Sequence, residues 1–444
     1  MSYKTPEGTH DILPAGKDRT KWEDDIAKWH WLEGVFRDTA ARFGYSEIRT
    51  PTFEHPELFR RAVGEGTDIV SKEMYDVVTN RSDTRHTLRP EGTAPALRAY
   101  VQHRLELDRP VTKLYYIASI FRHEREQKGR YRQHHQFGIE ALGAAGPDVD
   151  AEVIGLAMAI FRALGVARLD LKLNSVGTIQ SRARYLEALR AFAEPRLGEM
   201  SADNQRRFRE NALRMLDSKD PRDHVALADA PLLSDYLDDA DKAHFDLLQT
   251  YLTDLGVEYE VDPRLVRGFD YYTRTAFEVQ SPDVGAQSTL AGGGRYDRLV
   301  EDLGGQPTPG IGFGMGIERT LIALQNANVP TPDMSGLDAF LCPLGENARR
   351  VCVRLLADLR EAGVRADMDY TGRKMKAMLE QAEIANARYA LVIGDDEVAN
   401  HNAVLRQMPT QAEREAAQRE GRKVAPAQTQ SLMQSELANI LRRN

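Results

Sequence analysis

Gly310-Ile-Gly-Phe-Gly-Met-Gly-Ile-Glu-Arg319 puts glycine at every second position and an apolar residue at each position between. Side chains of a strand alternate between faces, so such a run presents one face of bare backbone, while Ile311, Phe313, Met315 and Ile317 face a core. A flat ring can lie directly on bare backbone, and adenine is the candidate ring. The apolar run from Ile317 predicts a helix, with Arg319 in its first turn beside an N-terminus suited to phosphate. A glycine-rich turn kept for packing is the alternative for this segment taken alone. A dinucleotide fingerprint is excluded, because no G-x-G-x-x-G register occurs here.

Upstream, Leu114–Phe121 and His134–Gly143 read as strands, as does Ser46–Phe53. On the second of these Gln136, Gly138 and Glu140 share one face, and Phe137, Ile139 and Ala141 the other. Two polar groups flanking a glycine make a small-ligand floor. Between the strands runs Arg122-His-Glu-Arg-Glu-Gln-Lys-Gly-Arg-Tyr-Arg-Gln-His-His135, with five Lys or Arg against two Glu. It is either a solvated hairpin loop or, placed before that floor, a contact for phosphate and nucleic acid. Three further segments carry chemistry: Arg267-Gly-Phe-Asp-Tyr-Tyr272 with a cation, a carboxylate and two phenols, Thr87-Leu-Arg-Pro-Glu-Gly-Thr93, and Ala291-Gly-Gly-Gly-Arg-Tyr296. A generic loop is the alternative for the first, and the glycine triplet lacks the Gly-Lys-Ser/Thr of a P-loop.

Helical spacing from about Asp18 to Phe43, with Gly44 as its stop, predicts a long amphipathic helix near the N-terminus. The stretch Arg182–Tyr251 is polar, charged and helical, and strands return near Val261, which predicts a helical insertion over about 182–255 in a β-rich domain. Val329–Gly336 has the proline and glycine content of a linker, dividing a domain of residues 1–328 from one of 337–444. Beyond it Ala339–Pro343, Asn347–Ala362, Arg365–Met368, Arg373–Ala387 and Tyr389–Ile393 alternate as β-α-β-α-β. The fold class is therefore multidomain, α/β and α+β. A strand pair closing the last domain would be expected after Asn400, where the chain instead enters a Gln-, Ala- and Arg-rich run, Gln411–Gln430.

The 444 residues are too many for a single core, and their 42% hydrophobic and 28% charged composition is ordinary for globular proteins. A net charge of −8 gives no global pull toward nucleic acid or anionic membrane, so polyanions must be met by local basic patches. Residues 337–444 carry 16 Lys plus Arg against 15 Asp plus Glu, +1, leaving −9 for the remainder. Cys342 and Cys352 lack a CxxC spacing, adjacent His134 and His135 form no H-E-x-x-H, and neither a metal centre nor a disulfide framework is expected. No apolar run approaches the ~18 residues that span a bilayer, and the N-terminus lacks a signal peptide's apolar stretch. A cytoplasmic protein without a membrane is expected.

Taken together these segments resemble the class II aminoacyl-tRNA synthetases, and within them the histidine enzymes, over nearly the whole chain. Gly8-Thr-His-Asp-Ile-Leu-Pro14 looks like that family's N-terminal start, and the segment around Pro51 like motif 1, which implies a homodimer. Thr87–Thr93 and Arg122–Glu140 resemble motif 2, Gly310–Arg319 resembles motif 3, and Arg267–Tyr272 and Ala291–Tyr296 are similar to two peptides specific to histidine enzymes. The resemblance implies an antiparallel catalytic sheet and a C-terminal anticodon-binding domain. It implies substrates L-histidine, ATP and tRNA(His), with Mg2+ accompanying the ATP phosphates. It places Glu91, Thr93 and Gln136 at the α-ammonium and Glu140 and Tyr272 at the imidazole, with Gly92 and Tyr271 in the same pocket. Arg122 and Arg319 match arginines on the α- and γ-phosphates, Arg267 an extra arginine on the α-phosphate, and Glu124 a residue near adenine, with Gly312 and Gly314 beneath the nucleotide. Arg125 and Gln127 are similar to residues that read the extra 5′ guanosine of that tRNA. A catalytically silent, histidine-sensing regulatory relative is the alternative. It typically lacks the ATP-site arginines and the C-terminal domain, both of which are present here.

Overall fold

The computed structural model describes residues 3–14, 21–64, 67–79, 82–125, 129–218, 220–267, 269, 271–285, 288–332, 336–410, 413–414, 417, 420–422 and 428–442. The chain divides into two compact units, Met1–Ile12 with Lys21–Val329 and Leu13–Thr20 with Pro330–Asn444.

In chain order the strands of the first unit are β1 (Ser46–Glu47), β2 (Phe53–Glu54), β3 (Asp76–Thr79), β4 (Ser82–Leu88), β5 (Thr112–Phe121), β6 (Gln133–Leu142), β7 (Asp170–Ser175), β8 (Glu260–Val261), β9 (Thr273–Gln280), β10 (Thr289–Arg295) and β11 (Gly310–Gly316). Eight of them form one sheet, ordered β1-β5-β6-β11-β10-β9-β7-β8, antiparallel except at its two short edge pairs. The glycine strand β11 lies in the middle, where both ladders are filled. Its core face holds Ile311, Phe313 and Met315, packed with Phe137, Ile139 and Phe277. Each such burial contributes roughly 1.5–3 kcal/mol, more than the ~0.5–1 kcal/mol each strand glycine costs.

Register does the rest. Gly312 pairs with Glu140, Gly314 with Gly138 and Gly316 with Gln136 on one side, and Gly314 with Gly292 and Gly312 with Gly294 on the other. The bare stripe of β11 is thus flanked by the polar floor of β6 and by the glycine triplet of β10.

The first long helix spans Ile26–Arg42, capped by the Asp25 carboxylate, which accepts from the Ala27 amide at 3.0 Å, and the chain leaves it through Gly44 at φ 79°. Trp29, Leu32, Phe36 and Ala40 line its buried face. It starts later than the spacing alone predicts, because Trp22–Asp24 forms a separate 3-10 turn and residues 18–20 lie outside the described ones. The strand expected over Ser46–Phe53 is two short ones, β1 and β2, in different sheets.

Between β7 and β8 the chain is helical from Ile179 to Asp254. Tyr185, Leu189, Met200, Met215 and Leu233 make a second core there, shared with Val266, Tyr272 and Ala276, while Leu248 and Leu252 of the last helix, Asp239–Asp254, belong to the main core.

The second unit carries β12 (Leu337–Pro343), β13 (Ala366–Met368), β14 (Ala387–Ile393), β15 (Asn402–Gln407) and β16 (Thr429–Met433), ordered β13-β12-β14-β15-β16. The first three are parallel, joined through helices Glu346–Glu361 and Met375–Ile384. The strand pair that Gln411–Gln430 was expected to replace is present. β15 and β16 pair antiparallel from Asn402↔Met433 to Arg406↔Thr429, and the biased run falls between them in sequence apart from its last two residues, Thr429 and Gln430, which belong to β16. Cys342 and Cys352 are free and buried, and burial pushes both thiols up to about 12. Among the described residues no helix is long and apolar enough to cross a membrane.

Candidate active site

A cavity of about 340 Å3 opens over the bare stripe of β11 and gathers residues from motifs far apart in sequence. Glu91, Gly92, Thr93, Arg122, Glu124, Gln136, Arg267, Tyr271, Tyr272, Gly312, Gly314 and Arg319 all line it. Glu140, 1% exposed, is not part of the lining but sits behind it, hydrogen-bonded to Tyr116 and Tyr296, which do line the cavity. Arg125 is exposed and outside the lining, and Gln127 lies outside the described residues.

One end of the cavity is cationic. Arg122 donates from Nε to the Pro90 carbonyl at 2.7 Å, and Arg319 donates to the carbonyls of Gly129 at 3.0 Å and Thr289 at 3.2 Å. Burial lowers the pKa of both. For Arg319 the charges of Arg130 and Arg122 lower it further. Glu124, 8% exposed, pairs with Arg130 and lies 3.7 Å from Arg122. Arg267 pairs with Glu278 and lies against Gly292, where a Cβ would overlap the guanidinium. Burial opposes its charge, but Glu278 and Tyr272 outweigh that and raise its pKa, and its Nε–H is buried without a hydrogen-bond partner. Burial, with Arg122 nearby, lowers the His134 pKa to about 4, so this ring is neutral at pH 7.

The other end is built from tyrosines around one carboxylate. Glu140 accepts from the Tyr116 hydroxyl at 3.2 Å and from the Tyr296 hydroxyl, and the Thr93 hydroxyl reaches both Glu140 and Tyr116. Burial raises its pKa to about 8. Glu91 caps the helix Thr93–His103 from just outside, accepting from the amides of Thr93 at 2.7 Å and Ala94 at 2.8 Å, and burial raises its pKa too. Phe269, Tyr271 and Tyr272 stack alongside, with the Tyr271 and Tyr272 rings 4.6 Å apart and Tyr296 edge-on to Tyr271 at 5.7 Å.

The glycines admit these side chains. A Cβ on Gly92 or Gly138 would fall within the Tyr116 ring, one on Gly310 against Tyr296, and one on Gly312 against the Glu140 carboxylate. The bare stripe is therefore roofed at Gly310 and Gly312 by the protein's own side chains. Gly314 and Gly316 have only ordinary contacts, at 3.5 Å or more.

Sequence reasoning did not single out Tyr116, Tyr296, Arg130 or Glu278. Tyr296 stood inside a peptide already marked, but Tyr116 sat in an apolar-looking strand, and only its pairing with Gly138 turns it into the cavity. Among the described residues no group of three His, Cys, Asp or Glu side chains converges to hold a metal ion, and Glu278 is engaged by Arg267, Thr289 and Gln280.

A family model described as histidyl-tRNA synthetase matches residues 22–320, and one described as anticodon binding domain matches residues 338–425. The histidine–tRNA ligase of Bacillus licheniformis is 49% identical over 91% of this chain and 93% of its own length, and that of Bacillus subtilis 47% over 94% and 97%. The crystal structure of apo Staphylococcus aureus histidyl-tRNA synthetase superposes with a TM-score of 0.78 at 36% identity, covering 99% of this chain and all of that one. With matches of this extent, over a cavity lined by Arg122, Arg267 and Arg319, the chain belongs to the histidyl-tRNA synthetase family.

Proposed function

We propose that the cavity activates L-histidine with ATP as histidyl-adenylate and passes the histidyl group to the 3′ end of tRNA(His), with the following division of labour. The observation that carries the reading is the convergence of Arg122, Arg130, Arg267 and Arg319 on one cavity, where Arg130 and Arg122 oppose the charge of Arg319 and a polyphosphate would relieve that opposition. The triphosphate lies against these arginines, with Arg319 toward the γ-phosphate and Arg122 and Arg267 toward the α-phosphate. Adenine lies over the open half of the stripe at Gly314 and Gly316, near Glu124. The α-ammonium of histidine meets Glu91, Thr93 and Gln136, and its imidazole meets Glu140 and Tyr272, since carboxylate and hydroxyl can satisfy both ring nitrogens.

The histidine carboxylate attacks the α-phosphorus, the new O–P bond replaces the bond to pyrophosphate, and no enzyme nucleophile is required. Catalysis is positioning and charge neutralisation by Arg122 and Arg267. Magnesium would enter on the phosphates, since the acidic side chains of this cavity already have partners. In the second step a terminal ribose hydroxyl of tRNA attacks the adenylate carbonyl, the new ester bond replaces the acyl–phosphate bond as AMP leaves with the hydroxyl proton, and the β5–β6 hairpin, including exposed Arg125, faces the acceptor end.

Phe53 and Val78, 53% and 79% exposed on the β2-β4-β3 sheet beside Pro51, support a homodimer through that region. The two free cysteines agree with a cytoplasmic setting. No observation favours the regulatory alternative.

ATP–pyrophosphate exchange with each amino acid in turn tests the proposal. Exchange with histidine alone is expected. Exchange with another amino acid overturns the specificity, and tight histidine binding without exchange points to a sensing role.

A further inference from the structure

Glu140 and Tyr272, assigned above to the imidazole, and Tyr296, which donates to Glu140, sit on three separate segments: Glu140 on β6, Tyr272 just before β9, and Tyr296 just after β10. All three segments are tied to one carboxylate that does not line the cavity, Asp150, in the first turn of helix Pro147–Leu164 and fully buried. Asp150 accepts from the Thr275 hydroxyl of β9 at 2.5 Å, from His244 Nε2 at 2.8 Å, and from Arg295 Nε at 3.1 Å and Nη2. Arg295 is itself fully buried and spends all five of its N–H groups. Besides Asp150 it donates to the carbonyls of Ala144 at 3.0 Å and Gly146 at 2.9 Å, in the turn that leaves β6, and to Asp297 at 3.1 Å. Asp297 in turn accepts from the Thr273 hydroxyl at 3.1 Å, next to Tyr272. One guanidinium therefore references the exit of the Glu140 strand, the residue beside Tyr272 and the residue beside Tyr296.

A buried ion pair is weak evidence for stability, because desolvation consumes much of its attraction. Its use here is geometric, in the manner of outer partners that orient the groups touching a ligand. We propose that Asp150 and Arg295 are positioning residues that set the spacing of Glu140, Tyr272 and Tyr296 and so govern histidine affinity, while leaving the nucleotide end untouched. The proposal rests on the assignment of the imidazole end given above.

The test is ATP–pyrophosphate exchange with the purified full chain carrying Asp150→Asn, Arg295→Lys or Thr275→Val, reading KM for histidine and for ATP separately, with Glu140→Gln alongside. Histidine KM is expected to rise about tenfold in the first two and roughly threefold in Thr275→Val, with ATP KM within about twofold of the parent, as for couplings through a shared hydrogen-bond network. Tyr296→Phe added to Asp150→Asn should raise histidine KM by less than the product of the single effects. An unchanged histidine KM, or both KM values moving together in variants that keep the parent's thermal transition, overturns the clamp. Should the two charge variants fail to fold, Thr275→Val decides by the same split. A response to Glu140→Gln without one to the other three sinks the clamp alone, whereas no response to Glu140→Gln overturns the assignment beneath it and the clamp with it.

Discussion

At the cationic end of the cavity Arg130 and Arg122 oppose the charge of Arg319 and Arg267 keeps a buried N–H unpaired, whereas at the other end Glu140 has both carboxylate oxygens met by tyrosine hydroxyls. The first end is held in a state that an anion would improve. The second is already satisfied without ligand, so a guest must replace hydrogen bonds of equal quality. That difference separates binding strength from selectivity: charge supplies the former, and the cost of leaving polar groups unpaired supplies the latter.

The contrast can be broken most sharply at Arg267. Arg267→Ala is expected to keep the fold and bind histidine, shown by calorimetric titration, while adenylate formation falls ~100-fold or more, the ~2.7–4 kcal/mol of a lost transition-state donor. Near-parental exchange in that variant would remove Arg267 from the chemistry. Next comes the glycine stripe. A Cβ at Gly312 has nowhere to go between the Glu140 carboxylate and the Ile139 carbonyl, so Gly312→Ala should cost about 1–3 kcal/mol in chemical denaturation and weaken histidine binding.

A smaller effect concerns pH. Burial raises the Glu140 pKa from 4.5 to about 8, so the folded state holds this proton more tightly than the unfolded chain. The stability it contributes is full below about pH 4.5 and is lost as pH rises through 8. Glu140→Gln cannot ionise, so its melting temperature should draw ahead of the parent's by several degrees as pH rises from 5 to 8.5. A constant gap would show that Glu140 is charged at neutral pH. The smallest effect on the fold is expected at Gly314→Ala, whose Cβ meets only Gln136 at 3.5 Å: stability within about 0.5 kcal/mol of the parent, with a raised KM for ATP and not for histidine.

Much of this was legible beforehand because the relevant signals have a period. Alternating glycine revealed β11, and alternating polar residues revealed β6 and the shared face of Gln136, Gly138 and Glu140. What period cannot supply is register. Tyr116 and Tyr115 are adjacent and chemically alike, yet one enters the cavity and the other packs on Phe137, a choice made by the pairing of β5 with β6. Asp150 and Arg295 are 145 positions apart, and nothing in an otherwise apolar helix or a glycine-rich strand marks them as partners. The β15–β16 pair was hidden because its two strands are separated by the biased run, which draws attention to itself and away from its flanks.

A strand without side chains on its working face also has no chemistry of its own to change. β11 supplies a platform, and every group that would touch substrate over it is lent by a neighbour: Glu140 and Gln136 from β6, Tyr296 from the end of β10, Arg319 from the following helix. Substrate choice on this sheet can therefore drift by single substitutions in the lending segments while the platform keeps its geometry. Gly310 and Gly312, where a Cβ would meet Tyr296 and Glu140, are the positions of the strand with the least freedom to vary.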